Sequence, residues 1–230
     1  MSINGDRLDH VEVWLFDLDN TLYPASCRLF DQIDLRMGAF ITDLLGCDAA
    51  AARRVQKGLF HRYGTTMRGL MTEHGLDPET FLAFVHDIDY SPVPAMPGLD
   101  AALAGLEGRK IIFTNGSIAH ADNVLARLGI GRHFEATFDI AAADYTPKPD
   151  PAPYRRLIEV HDVDPRRAAL VEDIAQNLKP AHDMGMATIW VRNDSEFSRL
   201  GADGDHVHHT TDNLEDWITE LVAARVGSAG

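Results

Sequence analysis

Apolar residues in this chain fall into short continuous runs separated by longer amphipathic stretches. The first run, residues 11–16, is rich in β-branched and aromatic side chains and ends at acidic residues, which predicts a buried strand. Four further apolar runs of strand length lie at 110–113, 137–140, 168–171 and 187–191. Amphipathic stretches of helical period lie at 118–128, 151–160 and 174–184. This alternation predicts an α/β fold, with a doubly wound parallel sheet between two layers of helices.

The stretch from residue 24 to residue 96 has a different pattern, because it contains no convincing strand. Apolar residues recur there at helical spacing, from Leu29 to Leu44 and again from Phe81 to Ile88. The proline-rich segment at 91–98 is typical of a stiff linker. We therefore predict an all-helical domain over residues 24–96, named here the helical insertion. The core domain would then consist of residues 1–23 and 97–230.

Composition narrows the range of partners and compartments. The 230 residues are 45% hydrophobic and 24% charged, which is ordinary for a globular protein. The formal net charge of -14 disfavours nucleic acids and membrane surfaces as partners, because both are polyanionic. The same charge repels an anionic substrate at long range, so such a substrate needs local cations to bind. We predict a cytoplasmic protein from three features of the sequence. The two cysteines lack metal-ligand spacing, residues 1–10 contain no apolar signal core, and no apolar run is long enough to span a membrane.

Polar residues follow the predicted strands at the edge where parallel sheets bind ligands. Asp17 and Asp19 follow the first strand, and Glu172 and Asp173 follow the fourth. Carboxylates this close repel each other, and a divalent cation with oxygen ligands is the simplest compensation. Taken separately, each pair is also consistent with acids that cap or precede a helix.

Two further segments supply groups that suit an anion. Thr114, Asn115 and Gly116 place a hydroxyl, an amide and main-chain N–H groups at a strand-to-helix turn, although Ser117 beside them also suits a plain N-cap. Lys148 lies between two prolines, which favours a fixed cation over a mobile surface lysine. Together the four segments supply a nucleophile, a metal site, an anion site and a fixed cation, as phosphoryl transfer through an aspartate requires.

The order of these segments, DxDxT, TNGS, KPxP and ED, resembles the four motifs of the haloacid dehalogenase superfamily of phosphohydrolases. The resemblance implies a Rossmann-like core and identifies the helical insertion with the cap between the first two motifs. Residues 16–24 and 63–70 resemble, more narrowly, the pyrimidine 5′-nucleotidase-like branch of that superfamily.

Catalytic roles follow from this resemblance by position. Asp17 would attack phosphorus and form an aspartyl-phosphate, while Asp19 would protonate the leaving oxygen and then activate water. Lys148 would neutralise charge on the nucleophile and the phosphate. The expected cofactor is Mg²⁺, bound by the Asp17 carboxylate, the Asp19 main-chain carbonyl and Asp173.

The resemblance also implies that Thr114 and the main-chain N–H groups of Asn115 and Gly116 hold the phosphoryl oxygens. Two positions depart from the usual pattern. Asn20 replaces a glycine that is common after the second aspartate, and Asn177 stands where many relatives have another acid. We expect Asn177 to orient other groups through hydrogen bonds rather than to bind the metal.

The function predicted at this point is hydrolysis of a small phosphorylated metabolite, with UMP or CMP as the expected substrates. Phosphoglycolate or a sugar phosphate is the nearest alternative, and a phosphomutase or a non-catalytic phosphate sensor also stays open. Dehalogenation is disfavoured by Asp19, because a halide needs no proton. We expect His206, His208 and His209 to lie on a solvated edge strand rather than in a metal site. The oligomeric state stays open.

Overall fold

The computed structural model describes residues 8–195 and 197–228, with side chains as far as residue 225. The expectation about the N-terminal segment therefore falls mostly outside the described residues. In the described part, six strands form one parallel sheet in the order β3-β2-β1-β4-β5-β6. The strands are β1 (Val13–Phe16), β2 (Arg109–Phe113), β3 (Ala136–Phe138), β4 (Ala168–Glu172), β5 (Ala187–Val191) and β6 (His209–Thr211). The predicted parallel sheet is confirmed.

The described residues also form nine α-helices. The helices are α1 (Leu29–Leu45), α2 (Ala49–Tyr63), α3 (Thr66–His74), α4 (Pro78–Val85), α5 (Pro97–Gly105), α6 (Ile118–Leu128), α7 (Pro151–His161), α8 (Ala175–Asp183) and α9 (Leu214–Ser228). None of the described helices is both long and apolar enough to cross a membrane.

The packing on both faces of β1 explains why its residues are all apolar and do not alternate with polar ones. Trp14 and Phe16 point to one face of the sheet and pack with α5, α6 and α9. Val13 and Leu15 point to the other face and pack with α7 and α8. Because both faces are covered, every side chain of the strand is buried. The doubly wound arrangement predicted from the sequence is therefore the observed one.

Helices α1 to α4 occupy the stretch predicted to be helical and surround a third apolar core. Gly69 permits a close approach of α3 to α2, since a Cβ atom at this position would lie 2.7 Å from the Leu59 side chain. Ile140, which follows β3, also belongs to this apolar core. The helical content is as predicted, while the division into two domains stays a prediction.

Two of the helices begin shortly after a polar segment at the carboxyl edge of the sheet, and a polar side chain caps the start of each. Ser117 caps α6, its side chain accepting a hydrogen bond from the His120 N–H, and Asp150 caps α7 in the same way through the Ala152 N–H. The N-cap alternative for Ser117 is thus correct. Strand β6 lies at the edge of the sheet as expected, but it begins at His209, so His206 and His208 precede it.

Candidate active site at the carboxyl edge of the sheet

Asp17 lies directly after β1, and its side chain is buried in the middle of the sheet edge. Its N–H donates to the Val171 carbonyl oxygen at 2.9 Å, which continues the ladder between β1 and β4. Its Oδ2 atom accepts a hydrogen bond from Thr21 Oγ1 at 2.9 Å, and its Oδ1 atom accepts one from Lys148 Nζ at 2.8 Å. Both oxygens of the predicted nucleophile are therefore held in place.

Lys148 is a buried cation with only 2% of its surface exposed. Its Nζ atom donates to Asp17 Oδ1, to Glu172 Oε2 at 2.6 Å and to the Phe113 carbonyl oxygen at 2.7 Å. Burial by itself lowers the pKa of this ammonium group, but the carboxylates of Asp17 and Glu172 outweigh burial, so its pKa lies above the ordinary value. Lys148 is thus a fixed charge, as predicted, and not a surface lysine.

Three buried carboxylates, from Asp17, Glu172 and Asp173, offer oxygen atoms within 4.8 Å of one another. One ammonium group, that of Lys148, faces them, which leaves two negative charges to be balanced. A divalent cation would balance these charges, and carboxylate oxygens are the ligands that Mg²⁺ prefers. The donor set therefore fits Mg²⁺, with Glu172 both paired to Lys148 and close enough to bind.

The excess of negative charge contributes to raised pKa values of Asp17 and Asp173. Burial, together with the neighbouring Glu172 carboxylate, raises the pKa of Asp17 to about 7 despite the opposing effect of Lys148. Burial and the Glu172 and Asp17 carboxylates likewise raise the pKa of Asp173 well above its ordinary value. Without a metal, protons are the cations that these carboxylates attract.

The segment predicted to hold phosphate lies beside this cluster and is already ordered by its own contacts. Asn115 Oδ1 accepts a hydrogen bond from the Lys148 N–H at 2.9 Å, so the amide side chain positions the lysine. The Gly116 N–H donates to Thr114 Oγ1 at 2.9 Å. A Cβ atom at Gly116 would lie 3.2 Å from Thr114 Oγ1 and 3.7 Å from Asp19 Oδ2. Thr114 Oγ1 and Asp19 Oδ2 therefore both lie close to Gly116.

Asp19 lies two residues after Asp17 in a very different environment. Its Oδ1 atom accepts hydrogen bonds from the Tyr23 hydroxyl and, at 2.8 Å, from His120 Nε2. Burial on its own would raise the pKa of Asp19, but the charge and hydrogen bond of His120, with the Tyr23 hydrogen bond, lower it to about 2. The substrate-free protein therefore holds Asp19 ionised.

His120 belongs to a polar cluster that sequence reasoning missed. Its side chain is fully buried, its ring stacks on that of His86 at 4.4 Å between centroids, and its Nδ1 atom lies 3.0 Å from the Tyr90 hydroxyl. His86 and Tyr90 follow α4, at the end of the helical insertion. One signal was available in the sequence, since His120 lies three residues after the N-cap Ser117 and so faces the same edge of the sheet.

The two departures from the superfamily pattern have different structural consequences. Asn20 adopts a left-handed backbone conformation, with φ +60°, which explains why glycine is common there and why asparagine is accepted. The main-chain carbonyl of Asn177 accepts a hydrogen bond from the Tyr154 hydroxyl. Asn193, which was not predicted, donates from Nδ2 to Asp173 Oδ2 at 2.8 Å and orients that carboxylate.

Comparison with known families agrees with this geometry. The family model described as a haloacid dehalogenase-like hydrolase matches residues 11–185, which is most of the chain. The chain belongs to the haloacid dehalogenase-like hydrolase family. The match includes the four polar segments and the helical insertion, so the family predicted from the motifs is confirmed.

Curated relatives of this hydrolase match over short segments. Enolase-phosphatase E1 from Frankia alni is 40% identical over 73 residues, which are 32% of this chain and 29% of that protein. Bifunctional epoxide hydrolase 2 from Rattus norvegicus is 30% identical over 92 residues, or 38% of this chain and 16% of that protein. The chain thus spans less than a third of the length of either relative.

Solved structures share the fold along nearly the whole hydrolase chain. The L-2-haloacid dehalogenase from Xanthobacter autotrophicus matches with a TM-score of 0.57 and 16% identity, covering 91% of this chain and 97% of that one. The magnesium-bound HAD-hydrolase YfnB from Bacillus subtilis matches with a TM-score of 0.58 and 14% identity, covering 92% and 98%. At these identities the likeness shows the fold alone.

Proposed function

We propose that this hydrolase is a Mg²⁺-dependent phosphomonoesterase that works through an aspartyl-phosphate on Asp17. The observation that carries the proposal is the pair of carboxylates two residues apart with opposite environments. Asp17 is buried against Lys148, as suits a nucleophile, and Asp19 Oδ2 lies close to Gly116 in the predicted phosphate segment, as suits an acid that reaches a leaving group.

The roles of the chain's own residues follow from these positions. An Asp17 oxygen forms a bond to phosphorus while the bond from phosphorus to the leaving oxygen breaks, and Lys148 neutralises charge on Asp17. An approaching phosphate raises the proton affinity of Asp19, because like charges at short range favour the protonated acid. Asp17, Glu172 and Asp173 would hold Mg²⁺, which would supply the positive charge that keeps Asp17 ionised next to the phosphate.

Proton transfer at Asp19 completes both halves of the reaction. Asp19, which takes up a proton from solvent as the phosphate binds, first gives that proton to the leaving oxygen, so that an alcohol departs. It then takes a proton from the water that attacks phosphorus, which breaks the bond to Asp17 and releases inorganic phosphate. Dehalogenation would not need the first transfer, because halide leaves without a proton. The presence of Asp19 therefore favours phosphate esters over haloacids, even though haloacid dehalogenases share the fold.

Pyrimidine nucleoside 5′-monophosphates are the substrates that we propose. The support is the resemblance of residues 63–70 to the nucleotidase branch, together with the place of Arg68 within that segment. Arg68 Nη1 donates to the Tyr145 carbonyl oxygen at 3.2 Å and to Thr146 Oγ1 at 3.1 Å, in the loop that leads to Lys148. This part of the helical insertion thus contacts the loop that leads to Lys148. The Tyr63 hydroxyl instead donates to Glu73 Oε1 at 3.0 Å.

Phosphate release from p-nitrophenyl phosphate, with and without Mg²⁺, tests the chemistry. We expect release that requires Mg²⁺, whereas folded protein without activity in either condition would favour a phosphate sensor. A panel of UMP, CMP, purine monophosphates, phosphoglycolate and sugar phosphates then tests the substrate. Indifference to the base, or preference for phosphoglycolate or a sugar phosphate, would contradict the nucleotidase assignment alone. Chloride release from 2-chloropropionate would contradict the phosphatase assignment.

A further inference from the structure

His120 connects the proposed acid to the end of the helical insertion. On one side its Nε2 atom bonds to Asp19 Oδ1 at 2.8 Å. On the other side, the Tyr90 hydroxyl lies 3.0 Å from both His120 Nδ1 and the His86 carbonyl oxygen. The His86 ring stacks on His120 with an interplanar angle of 15°, and its Nδ1 atom lies 2.8 Å from Ser117 Oγ. The imidazole of His120 is therefore fixed at both nitrogens and on one face.

The hydrogen bonds to Asp19 are unequally divided between its two oxygens. Tyr23 and His120 both donate to Oδ1, so two donors from different elements fix the position of that atom. The other oxygen, Oδ2, lies near Gly116, 3.7 Å from the position that a Cβ atom would take there. An acid that must reach a leaving oxygen needs one oxygen directed at the substrate and the carboxylate plane held still.

We propose that His120 is a positioning residue, which holds the Asp19 carboxylate with Oδ2 directed at the leaving oxygen. Tyr90 and His86 orient His120 in turn, so residues of the helical insertion set the geometry of an acid on the core sheet. This inference rests on the proposed function. It also predicts a dependence on the leaving group, because esters with a poor leaving group need the proton most.

The test compares kcat/KM for phenyl phosphate and p-nitrophenyl phosphate with Mg²⁺, in wild type and three variants. Phenol is a weaker acid than p-nitrophenol, so phenolate depends more on protonation. His120→Ala should lose about tenfold more kcat/KM on phenyl phosphate than on p-nitrophenyl phosphate. His120→Gln, which keeps a donor near the position of Nε2, should recover most of this difference. Tyr90→Phe should show an intermediate difference of about threefold.

His133→Ala is the matched control. His133 Nε2 donates to Asp100 Oδ1 at 2.8 Å, the same kind of bond, and in the described structure neither residue shares a hydrogen bond with the site residues. Its ratio of the two kcat/KM values should equal that of wild type. Circular dichroism and thermal melts check folding in every variant. If His120→Ala does not fold, Tyr90→Phe decides, because it keeps the ring and removes a single hydroxyl.

Each result bears on the inference in a defined way. Equal losses on both esters in a folded His120→Ala, or an unchanged ratio in Tyr90→Phe when His120→Ala does not fold, would overturn the positioning role and leave the proposed function intact. A wild type that releases no phosphate from either ester would overturn the proposed function, and the inference with it. A selective loss on phenyl phosphate that glutamine restores would support the inference.

Discussion

Asp17 and Asp19 share one loop, yet they belong to two clusters that shift the pKa of a carboxyl group in opposite directions. The acidic cluster, Asp17 with Lys148, Glu172 and Asp173, has more negative than positive charge, and the pKa of Asp17 rises to about 7. The histidine cluster, Asp19 with Tyr23, His86, Tyr90 and His120, is rich in donors, and the pKa of Asp19 falls to about 2. The acidic cluster has the charge and the oxygen ligands that suit a divalent cation, and the histidine cluster holds its carboxylate through hydrogen-bond donors. Such divergence between neighbouring acids is what a nucleophile and a separate acid–base group require.

Removal of the buried cation should break the acidic cluster most severely. Lys148→Met leaves Asp17 and Glu172 without their shared partner, so we expect kcat to fall about 10³-fold and stability to fall by about 3–5 kcal/mol. Urea unfolding and p-nitrophenyl phosphate hydrolysis measure the two effects. In the double variant with Glu172→Gln, part of the stability should return but not the activity.

A surface lysine provides the comparison for that experiment. Lys179 donates to Asp183 at 2.8 Å on an exposed face of α8, so Lys179→Met should change stability by less than about 1 kcal/mol. If Lys148→Met behaved like this control, the acidic cluster would not have the role assigned to it.

A methyl group at Gly116 should affect the predicted phosphate segment and the histidine cluster together. Its Cβ atom would lie 3.2 Å from Thr114 Oγ1 and from His120 Cδ2. We expect kcat/KM to fall about 10- to 100-fold in Gly116→Ala. Gly58→Ala is the control, because a Cβ atom at Gly58 meets nothing within 4 Å and alanine favours a helix. Wild-type activity in Gly116→Ala would place the phosphate elsewhere.

The dependence of stability on pH should distinguish Asp17, whose pKa is raised, from Asp19, whose pKa is lowered. The folded pKa of Asp17, about 7, exceeds its ordinary value of 3.8, so the native state retains a proton that the unfolded state loses. In metal-free protein this contribution is complete below about pH 4 and is lost as pH rises through 7, with a fall in Tm on the order of 5 °C. Mg²⁺ should therefore raise Tm more at pH 8 than at pH 5.5.

Asp17→Asn is the control for that measurement. The variant should lose much of the fall in Tm between pH 5.5 and pH 8, because asparagine does not titrate. A Tm of wild-type protein that rose over this range, with no larger effect of Mg²⁺ at high pH, would contradict the imbalance of charge in the acidic cluster.

The smallest expected effect concerns the second donor to Asp19. Tyr23→Phe removes one of two hydrogen bonds to Oδ1 while His120 keeps the other. We expect kcat to fall about threefold and stability by about 1 kcal/mol, since the ring still packs. Steady-state kinetics and urea unfolding check both values. A loss as large as that of Lys148→Met would mean that His120 does not hold Asp19 without Tyr23.

Sequence reasoning located the acidic cluster because its members follow apolar strands. Asp17 and Glu172 end such runs, and parallel strands bring their carboxyl ends to one edge. Lys148 was visible through its flanking prolines. The pairing of Glu172 with Lys148 was not, because it depends on how the loop after β3 folds back onto the sheet.

The histidine cluster was missed for a physical reason. Its contacts join Asp19 to His120, 101 positions away, and to residues at the end of the helical insertion. The periodicity of apolar residues does not show where the segment after α4 contacts α6. The site of Asn193, beyond β5, escaped detection for the same reason, since its contact with Asp173 depends on the order of strands in the sheet.

Formation of an aspartyl-phosphate on Asp17 is the central claim, and trapping it is the most direct test. Asp19→Ala should slow hydrolysis of the intermediate, so that p-nitrophenyl phosphate with Mg²⁺ leaves phosphate on the protein. Borohydride reduction of an aspartyl-phosphate gives homoserine, which peptide mass spectrometry locates. The account predicts homoserine at position 17, and none when Asp17→Asn is added. Homoserine at another aspartate, or phosphate release without any labelled residue in an active and folded protein, would contradict it.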